Sequence, residues 1–74
     1  MKLIEILFEL PLSAQIVYRV LEQHEVLSSQ EIHYNTHYSL RTIQYAIRQL
    51  VDTHLVMQFS DIQDPRSYKY SVTS

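Results

Sequence analysis

The sequence predicts a small α+β domain, mainly α, in which four helices precede a C-terminal β-hairpin. Apolar residues recur at helical spacing through most of the chain before Leu55. Ser28-Ser29-Gln30-Glu31 has the spacing of a capping box, which marks the start of a helix in mid-chain. After Leu55 the pattern changes to β-branched and aromatic residues around a turn-rich connector. We expect one domain over residues 1–74, because a chain of this length supports a single core at most.

The composition excludes several kinds of functional site. With 46% hydrophobic and 19% charged residues, the chain has the composition of neither a disordered tail nor a membrane protein. Cysteine is absent, which excludes disulfide scaffolds, thiolate zinc sites and cysteine nucleophiles. Glycine is also absent, which excludes glycine-rich phosphate loops and Asn-Gly hairpins. Any residue with a positive φ must therefore be of another type.

The N-terminal segment predicts a short helix that is buried on most sides. Lys2, Glu5 and Glu9 recur at helical spacing, apolar residues fill the remaining surface, and Pro11 ends the helix. A chain this small would aggregate if it exposed that apolar surface, so we expect residues 1–10 to cap the core or to form a two-fold dimer interface, and we favour the dimer. The segment is too short and too acidic for a signal peptide or membrane span, and we expect a cytoplasmic protein without membrane contacts. Its apolar residues are Leu3, Ile4, Ile6, Leu7, Phe8 and Leu10.

A second helix and a minor strand are expected next. The helix runs from Ala14 to about Gln23, because its apolar residues form a single stripe opposite polar ones. Ser13 is the expected N-cap of this helix. A minor strand is expected around Val26 and Leu27.

The third and fourth helices lie close together in the sequence. The third begins at the capping box, buries Ile32 and runs to about Asn35. The fourth runs from Leu40 to about Thr53 after a new cap at Ser39. The residues expected on its buried face are Ile43, Ala46, Ile47 and Leu50.

The opposite face of the fourth helix is polar and is the candidate binding surface. At about 100° per residue, Arg41, Tyr45 and Arg48 lie roughly 140° to 200° from Ile43, and Gln44 lies roughly 100° from it. In the major groove of DNA, arginine pairs with guanine and glutamine with adenine. Such a face is often only a solvated helix surface. Preceded by a capped helix and followed by a hairpin with a basic tip, it indicates a helix that reads DNA.

This arrangement resembles a known family. The stretch from Glu31 to Leu50, followed by His54-Leu55-Val56, resembles the helix-turn-helix and strand entry of winged helix-turn-helix transcriptional regulators of the MarR, ArsR and TrmB type. The resemblance implies a helix-turn-helix over residues 28–53 and a wing over residues 55–72. It also implies a sequence-specific double-stranded DNA-binding regulator, acting as a homodimer with its recognition helix in the major groove and its wing on the flanking groove. Carried over by position, the DNA contacts are Ser39, Arg41, Thr42, Gln44, Tyr45 and Arg48 on the recognition helix, and Arg66 and Lys69 on the wing.

Details of the turn and the wing bear on the resemblance. Asp64-Pro65-Arg66 resembles the Asp-x-Arg wing tip of MarR-type proteins. The turn carries His37 where the family normally has glycine, which is acceptable because histidine is enriched at positive φ. Tyr38 occupies the position where the family buries an apolar anchor. Other tyrosines expected in packing or strand positions are Tyr34, Tyr68 and Tyr70.

The small size of the chain sets further expectations. Larger members of the family have effector pockets and long dimerisation helices, which these 74 residues do not contain. We therefore expect no inducer, no small-molecule ligand and no cofactor. The size also resembles that of small regulators from archaeal plasmids and viruses.

Metal binding and catalysis are not expected. His33 and His37 are four residues apart, but the helix is predicted to end between them, and His24 and His54 lie in other turns. The histidines, serines and carboxylates have no spacing that would form a nucleophile, a base and an oxyanion site. We therefore expect neither a metal site nor an enzyme.

The charge distribution keeps two other functions open. The net charge of −2 argues weakly against nucleic acid, but residues 1–37 hold two basic and five acidic residues, whereas residues 38–74 hold four basic and three acidic ones. One alternative is a winged-helix protein-interaction module whose acidic half mediates assembly without DNA. The other is a shape-reading module for left-handed DNA, in which Tyr45 or Tyr68 packs against the backbone.

Overall fold

The computed structural model describes residues 3–64 and 67–73 as four helices and a three-stranded sheet. The elements are α1 (Leu3–Glu9), α2 (Leu12–Gln23), β1 (Leu27–Ser28), α3 (Ser29–Thr36), α4 (Leu40–Asp52), β2 (Val56–Ser60) and β3 (Tyr68–Val72). The sheet is antiparallel, with the strand order β1-β3-β2. The predicted order of helices followed by a C-terminal hairpin is confirmed, and the minor strand expected near Leu27 is β1.

The start of α2 differs from the sequence prediction. Ser13 was expected to cap the helix, but the helix already begins at Leu12, and Pro11 is its N-cap without a side-chain cap bond. Proline fits this position because its φ of −55° suits the entry to a helix and its missing N–H group needs no partner there. The Pro11 carbonyl accepts the N–H of Gln15 at 3.1 Å, which closes the first turn.

The core lies between α2, α4 and the inner side of the sheet. On α4 the predicted buried face is confirmed, and Ile32 of α3 is fully buried as expected. Because α2 and α4 both place small or branched side chains at the contact, the two helices pack closely. The buried residues are Leu7, Ala14, Val17, Leu21, Leu27, Ile32, Ile43, Ala46, Ile47, Leu50, Leu55, Val56 and Tyr70.

Helix α1 covers the core with one side only. Leu7 is buried, and Ile6 and Leu10 pack partly against the core. Phe8 is 60% exposed and Leu12 at the start of α2 is 67% exposed. The expectation of a helix buried on most sides is therefore wrong for the side that carries Phe8.

Histidines with a left-handed backbone conformation follow both helices of the helix-turn-helix. His37 has a φ of 62° and donates its N–H to the His33 carbonyl, which confirms the prediction that histidine replaces the usual glycine. His54 has a φ of 64° after α4, which the sequence did not predict. There the N–H of His54 bonds to the Val51 carbonyl and that of Leu55 to the Leu50 carbonyl, the pattern of a Schellman motif. The first histidine turns the chain into α4, and the second turns it into β2.

Candidate nucleic-acid interface

The polar face of α4 is open to solvent. Arg41, Gln44, Tyr45 and Arg48 are all exposed, because the buried residues of α4 lie on its other side. Across residues 3–64 and 67–73, no carboxylate forms an ion pair with Arg41 or Arg48. Both guanidinium groups can therefore reach an external acceptor without first breaking an internal bond.

The start of α4 is capped as the sequence predicted. The Oγ of Ser39 accepts the N–H of Thr42 at 3.2 Å and donates its own proton to Thr42 Oγ1 at 2.9 Å. The hydroxyl proton of Thr42 remains available for an acceptor outside the helix. This end of α4 combines hydroxyl groups with the positive end of the helix dipole, a combination suited to a phosphate.

The turn before α4 is held by side chains of α3. Thr36 donates its hydroxyl proton to the Ile32 carbonyl at 2.8 Å and accepts the N–H of Tyr38 at 3.3 Å. The Nδ1 of His33 is hydrogen-bonded to the Tyr38 carbonyl, so His33 stabilises the turn. Tyr38 is half-buried against the core, in the position expected for the anchor. The bond made by His33 was not predicted, because no local motif links a histidine to a carbonyl five residues later.

Two other tyrosines have opposite environments. Tyr34 was expected to pack, but it is 84% exposed, because α3 buries only the narrow face that carries Ile32. Tyr70 is buried in β3, as expected for a strand residue on the inner face of the sheet. Tyr68 lies in the same strand with its ring 45% exposed.

The wing is formed by β2, β3 and the loop between them. Strand β2 ends at Ser60, and the loop begins at Asp61. The Asp61 N–H bonds to the Ser67 carbonyl at 3.0 Å and the Ser67 N–H to the Asp64 carbonyl at 2.9 Å, which closes the described part of the loop. Arg66, the predicted wing-tip contact, lies outside the described residues.

The second predicted wing contact is paired inside the molecule. The Nζ of Lys69 lies 3.3 Å from Oε1 of Glu31 on α3. The same oxygen accepts the N–H of Ser28 at 3.0 Å, while the N–H of Glu31 donates to Ser28 Oγ at 3.2 Å, so the predicted capping box is confirmed. The Ser28 N–H and, after it, the Lys69 ammonium hold the pKa of the Glu31 carboxyl below its ordinary value, against the opposite effect of burial.

A shallow cleft joins the three elements of this surface. It has a volume of about 310 Å³ and lies between the first turn of α3, the polar face of α4 and β3. Ser29 and Gln30 line it from α3, Gln44 from α4 and Tyr68 from β3. Gln44, a predicted base contact, thus borders both β3 of the wing and α3. The sequence did not indicate Ser29 or Gln30, since their nearness to the wing depends on the pairing of β1 with β3.

The described residues also bear on metals and membranes. Within residues 3–64 and 67–73, no three histidine or acidic side chains are grouped closely enough to hold a metal ion. None of the helices that the structure describes has both the length and the apolar character needed to cross a bilayer.

Comparison with known proteins identifies the fold. No family model and no curated protein matches the chain. Among solved structures, it is similar to the adhesin competence repressor AdcR from Streptococcus pyogenes, with a TM-score of 0.81 and 20% identity over 89% of this chain and 48% of that one. It is also similar to a mutant MarR from E. coli complexed with operator DNA, with a TM-score of 0.82 and 15% identity over 95% of this chain and 51% of that one.

A third similar structure, the YusO protein from Bacillus subtilis, has a TM-score of 0.82 and 18% identity over 88% of this chain and 46% of that one. The chain therefore has the winged helix-turn-helix fold, and it spans about half the length of each of these proteins. The predicted origin in an archaeal plasmid or virus stays a prediction.

Proposed function

We propose that this chain is a sequence-specific double-stranded DNA-binding regulator and that α4 enters the major groove with its polar face. The observation that carries the proposal is the open face of α4, on which Arg41 and Arg48 have no acidic partner among the described residues. An exposed basic face on the second helix of a helix-turn-helix is the usual means of DNA recognition. The similarity to a MarR structure that contains operator DNA supports the same function.

The side chains of this face have different roles in the proposal. Arg41 and Arg48 pair with guanine, because the guanidinium fork matches its two acceptors. Gln44 pairs with adenine in the same way, and Tyr45 supplies contact area from a ring that is 60% exposed. The hydroxyl groups of Ser39 and Thr42 bind phosphates at the start of the helix, and Arg66 binds the flanking groove from the wing. Lys69 is not among these contacts, because its ammonium is already bound to Glu31.

We further propose that the protein binds as a homodimer through the region of α1. Phe8 is 60% exposed and Leu12 is 67% exposed, which places two large apolar side chains in water close together in the sequence. A single recognition module buries too little surface for tight specific binding, and a two-fold dimer doubles it. Light scattering with size-exclusion chromatography should give twice the mass of the chain, and Phe8→Ser together with Leu12→Ser should reduce it to one chain.

Selection of bound fragments from random DNA tests the function most directly. We expect an inverted repeat with half-sites about one helical turn apart. Free mobility of random duplex at high protein concentration and low salt would contradict the proposal and favour the protein-interaction alternative. A selective change in the circular dichroism of alternating GC duplex would instead favour the module for left-handed DNA.

The selected duplex then allows a matched pair of variants. Arg48→Ala should reduce the affinity for it by about 1 to 3 kcal/mol and relax the sequence preference, because a bidentate base contact is lost. Arg19→Ala is the control, since Arg19 is exposed on α2 and its removal changes the net charge equally. Equal losses in the two variants would indicate that only overall charge matters.

A further inference from the structure

One carboxylate oxygen connects the helix-turn-helix to the wing. Oε1 of Glu31 accepts the Ser28 N–H at 3.0 Å and lies 3.3 Å from the Lys69 ammonium. Ser28 is both the last residue of β1 and the N-cap of α3. In the sheet, Ser28 is the direct partner of Lys69, so the cap of α3 and the wing strand β3 are neighbours.

We propose that the Glu31–Lys69 pair fixes the orientation of the wing relative to the helix-turn-helix, which makes Lys69 a positioning residue for DNA binding and not a phosphate contact. The statement about DNA rests on the proposed function. The statement about orientation concerns the free protein and stands independently of it.

The pairing of the strands explains why this link matters. The hairpin is held internally by five residue pairs between β2 and β3. Its connection to the strand that leads into α3 has only two pairs, Leu27 with Tyr70 and Ser28 with Lys69. Tyr70 of β3 and Val56 at the start of β2 anchor the base of the hairpin in the core. Neither Ser28 nor Lys69, whose pair lies nearer to the wing loop, is buried. The ion pair therefore restrains the part of the hairpin that lies beyond these anchors, on the side of the loop.

The charges around Lys69 favour positioning over a phosphate contact. A phosphate would have to compete with a carboxylate that is kept charged by the α3 cap. In β3, Lys69 is paired with Phe59 of β2, which brings an apolar side chain and no further cation to its side.

The two roles of Lys69 predict effects of opposite sign for a change at Glu31. If the pair positions the wing, removal of the carboxylate charge loosens the wing and lowers the affinity for DNA. If Lys69 binds a phosphate, the carboxylate is a competitor, and its removal raises the affinity. Glu31→Gln is the suitable variant, because the glutamine oxygen still accepts the Ser28 N–H and preserves the cap.

Binding to the selected duplex should be measured for Glu31→Gln, Lys69→Met and the double variant. We expect each single change to lower the affinity by about 2- to 5-fold, as befits a half-exposed pair, and the double variant to be no weaker than either. Glu25→Gln is the control, because Glu25 is exposed and has the same charge but lies outside the pair. A gain in affinity for Glu31→Gln, or no change in either variant, would overturn the proposal.

The salt dependence of binding gives a second criterion. Loss of a phosphate contact lowers the slope of log affinity against log salt by about 0.9. We expect Lys69→Met to have the same slope as the wild type. In Arg48→Ala the slope should fall by no more than the about 0.9 that corresponds to one phosphate contact. A fall of the full amount in Lys69→Met would identify Lys69 as a phosphate contact and overturn the positioning role.

Residual dipolar couplings of the backbone amides test the orientation without DNA. In the wild type, the couplings of the hairpin and of the helices should fit one common alignment. In Glu31→Gln and Lys69→Met, the helix couplings should keep that fit, while those of the β2 and β3 residues nearer the loop should shrink, because that end of the hairpin then samples several angles. Unchanged hairpin couplings would overturn the proposal. If the wild type binds no duplex, the proposed function fails, and these couplings alone decide whether the pair orients the wing.

Discussion

The helix α4 and the wing hairpin carry basic residues in contrasting states. On α4, Arg41 and Arg48 are exposed and have no acidic partner in the described part of the chain. In the hairpin, Lys69 is engaged by Glu31, and the loop sequence holds Asp61 and Asp64 beside Arg66. The outer face of β2 adds no charge, since it presents apolar side chains to solvent. The basic side chains of α4 are therefore open to an external acceptor, whereas Lys69 of the hairpin is already paired within the molecule.

The two regions also depend on different ranges of the sequence. The cap of α4 and its buried face involve residues within a few positions of one another. The contact that holds Lys69 joins residues 38 positions apart. A local pattern therefore determines the environment of α4, whereas that of the wing follows only after the chain has folded.

The largest expected difference between the two regions is in stability. Leu50→Ala removes a side chain of α4 that has no exposed surface and should reduce the free energy of unfolding by about 2 to 5 kcal/mol. Met57→Ala removes a side chain of β2 that is 51% exposed and should reduce it by less than about 1 kcal/mol. Denaturant unfolding of both variants measures the two values. Similar losses would mean that the outer face of the wing is covered, for example by a second copy.

An exchange between arginine and lysine should change DNA binding when it is made on α4, but not when it is made in the hairpin. Arg48→Lys keeps the charge but loses the bidentate fork, so the affinity for the selected duplex should fall by about 1 to 3 kcal/mol while that for random DNA stays constant. Lys69→Arg keeps the ion pair with Glu31 and should change neither affinity. Fluorescence anisotropy with both duplexes measures these effects. A large loss of specificity in Lys69→Arg would show that the wing reads sequence.

The same contrast explains what the sequence could and could not predict. The cap at Ser39, the buried residue Ile43 and the capping box of Ser28 were predicted correctly, because each depends on neighbours within one or two helical turns. The solvent exposure of Arg41 and Arg48 was also implied by helical spacing alone. These local patterns specify the polar face of α4 almost completely.

The predictions that were wrong or missing concern features that depend on the tertiary structure. Ser13 is a good N-cap in isolation, but the conformation of Pro11 starts the helix earlier. Tyr34 was expected to pack because tyrosine is often a packing residue, yet none of the described elements covers that side of α3. The pairing of Lys69 with Glu31 requires the antiparallel register of β1 and β3, which two short strands do not reveal in sequence.

The turns on either side of α4 test whether glycine is preferred over histidine at a left-handed backbone position, and the expected effects are smaller. His37 and His54 both have left-handed φ values, a conformation that disfavours residues with a Cβ atom by about 1 to 2 kcal/mol. Part of the gain from glycine is offset by its greater freedom in the unfolded chain, so His37→Gly and His54→Gly should each stabilise by about 0.5 to 1 kcal/mol. Thermal unfolding measures the change. Asn35→Gly, inside α3, should destabilise and is the control. Loss of stability in His37→Gly would indicate that the imidazole makes a contact that outweighs its backbone conformation.

The smallest effect concerns the pH dependence of the link between α3 and the wing. The pKa of the Glu31 carboxyl is lowered in the folded protein, chiefly by the Ser28 N–H and then by Lys69. A carboxyl whose pKa is lower in the folded than in the unfolded state contributes stability above its unfolded pKa, and this contribution is lost as the pH falls through the folded pKa. The wild type should therefore unfold at a higher temperature than Glu31→Gln near neutral pH, and the two should converge as the pH falls through the lowered pKa of this carboxyl.

Glu25→Gln shows what the loss of any exposed carboxylate does, because Glu25 has no hydrogen bond or ion pair in the described part of the chain. We expect its unfolding temperature to follow that of the wild type more closely than Glu31→Gln does at neutral pH. If the difference in unfolding temperature between wild type and Glu31→Gln widened on acidification, folding would raise the pKa of the Glu31 carboxyl instead of lowering it. Since protonation also releases Lys69, the hairpin couplings of the wild type at low pH should approach those of Glu31→Gln, which ties the stability of the cap to the orientation of the wing.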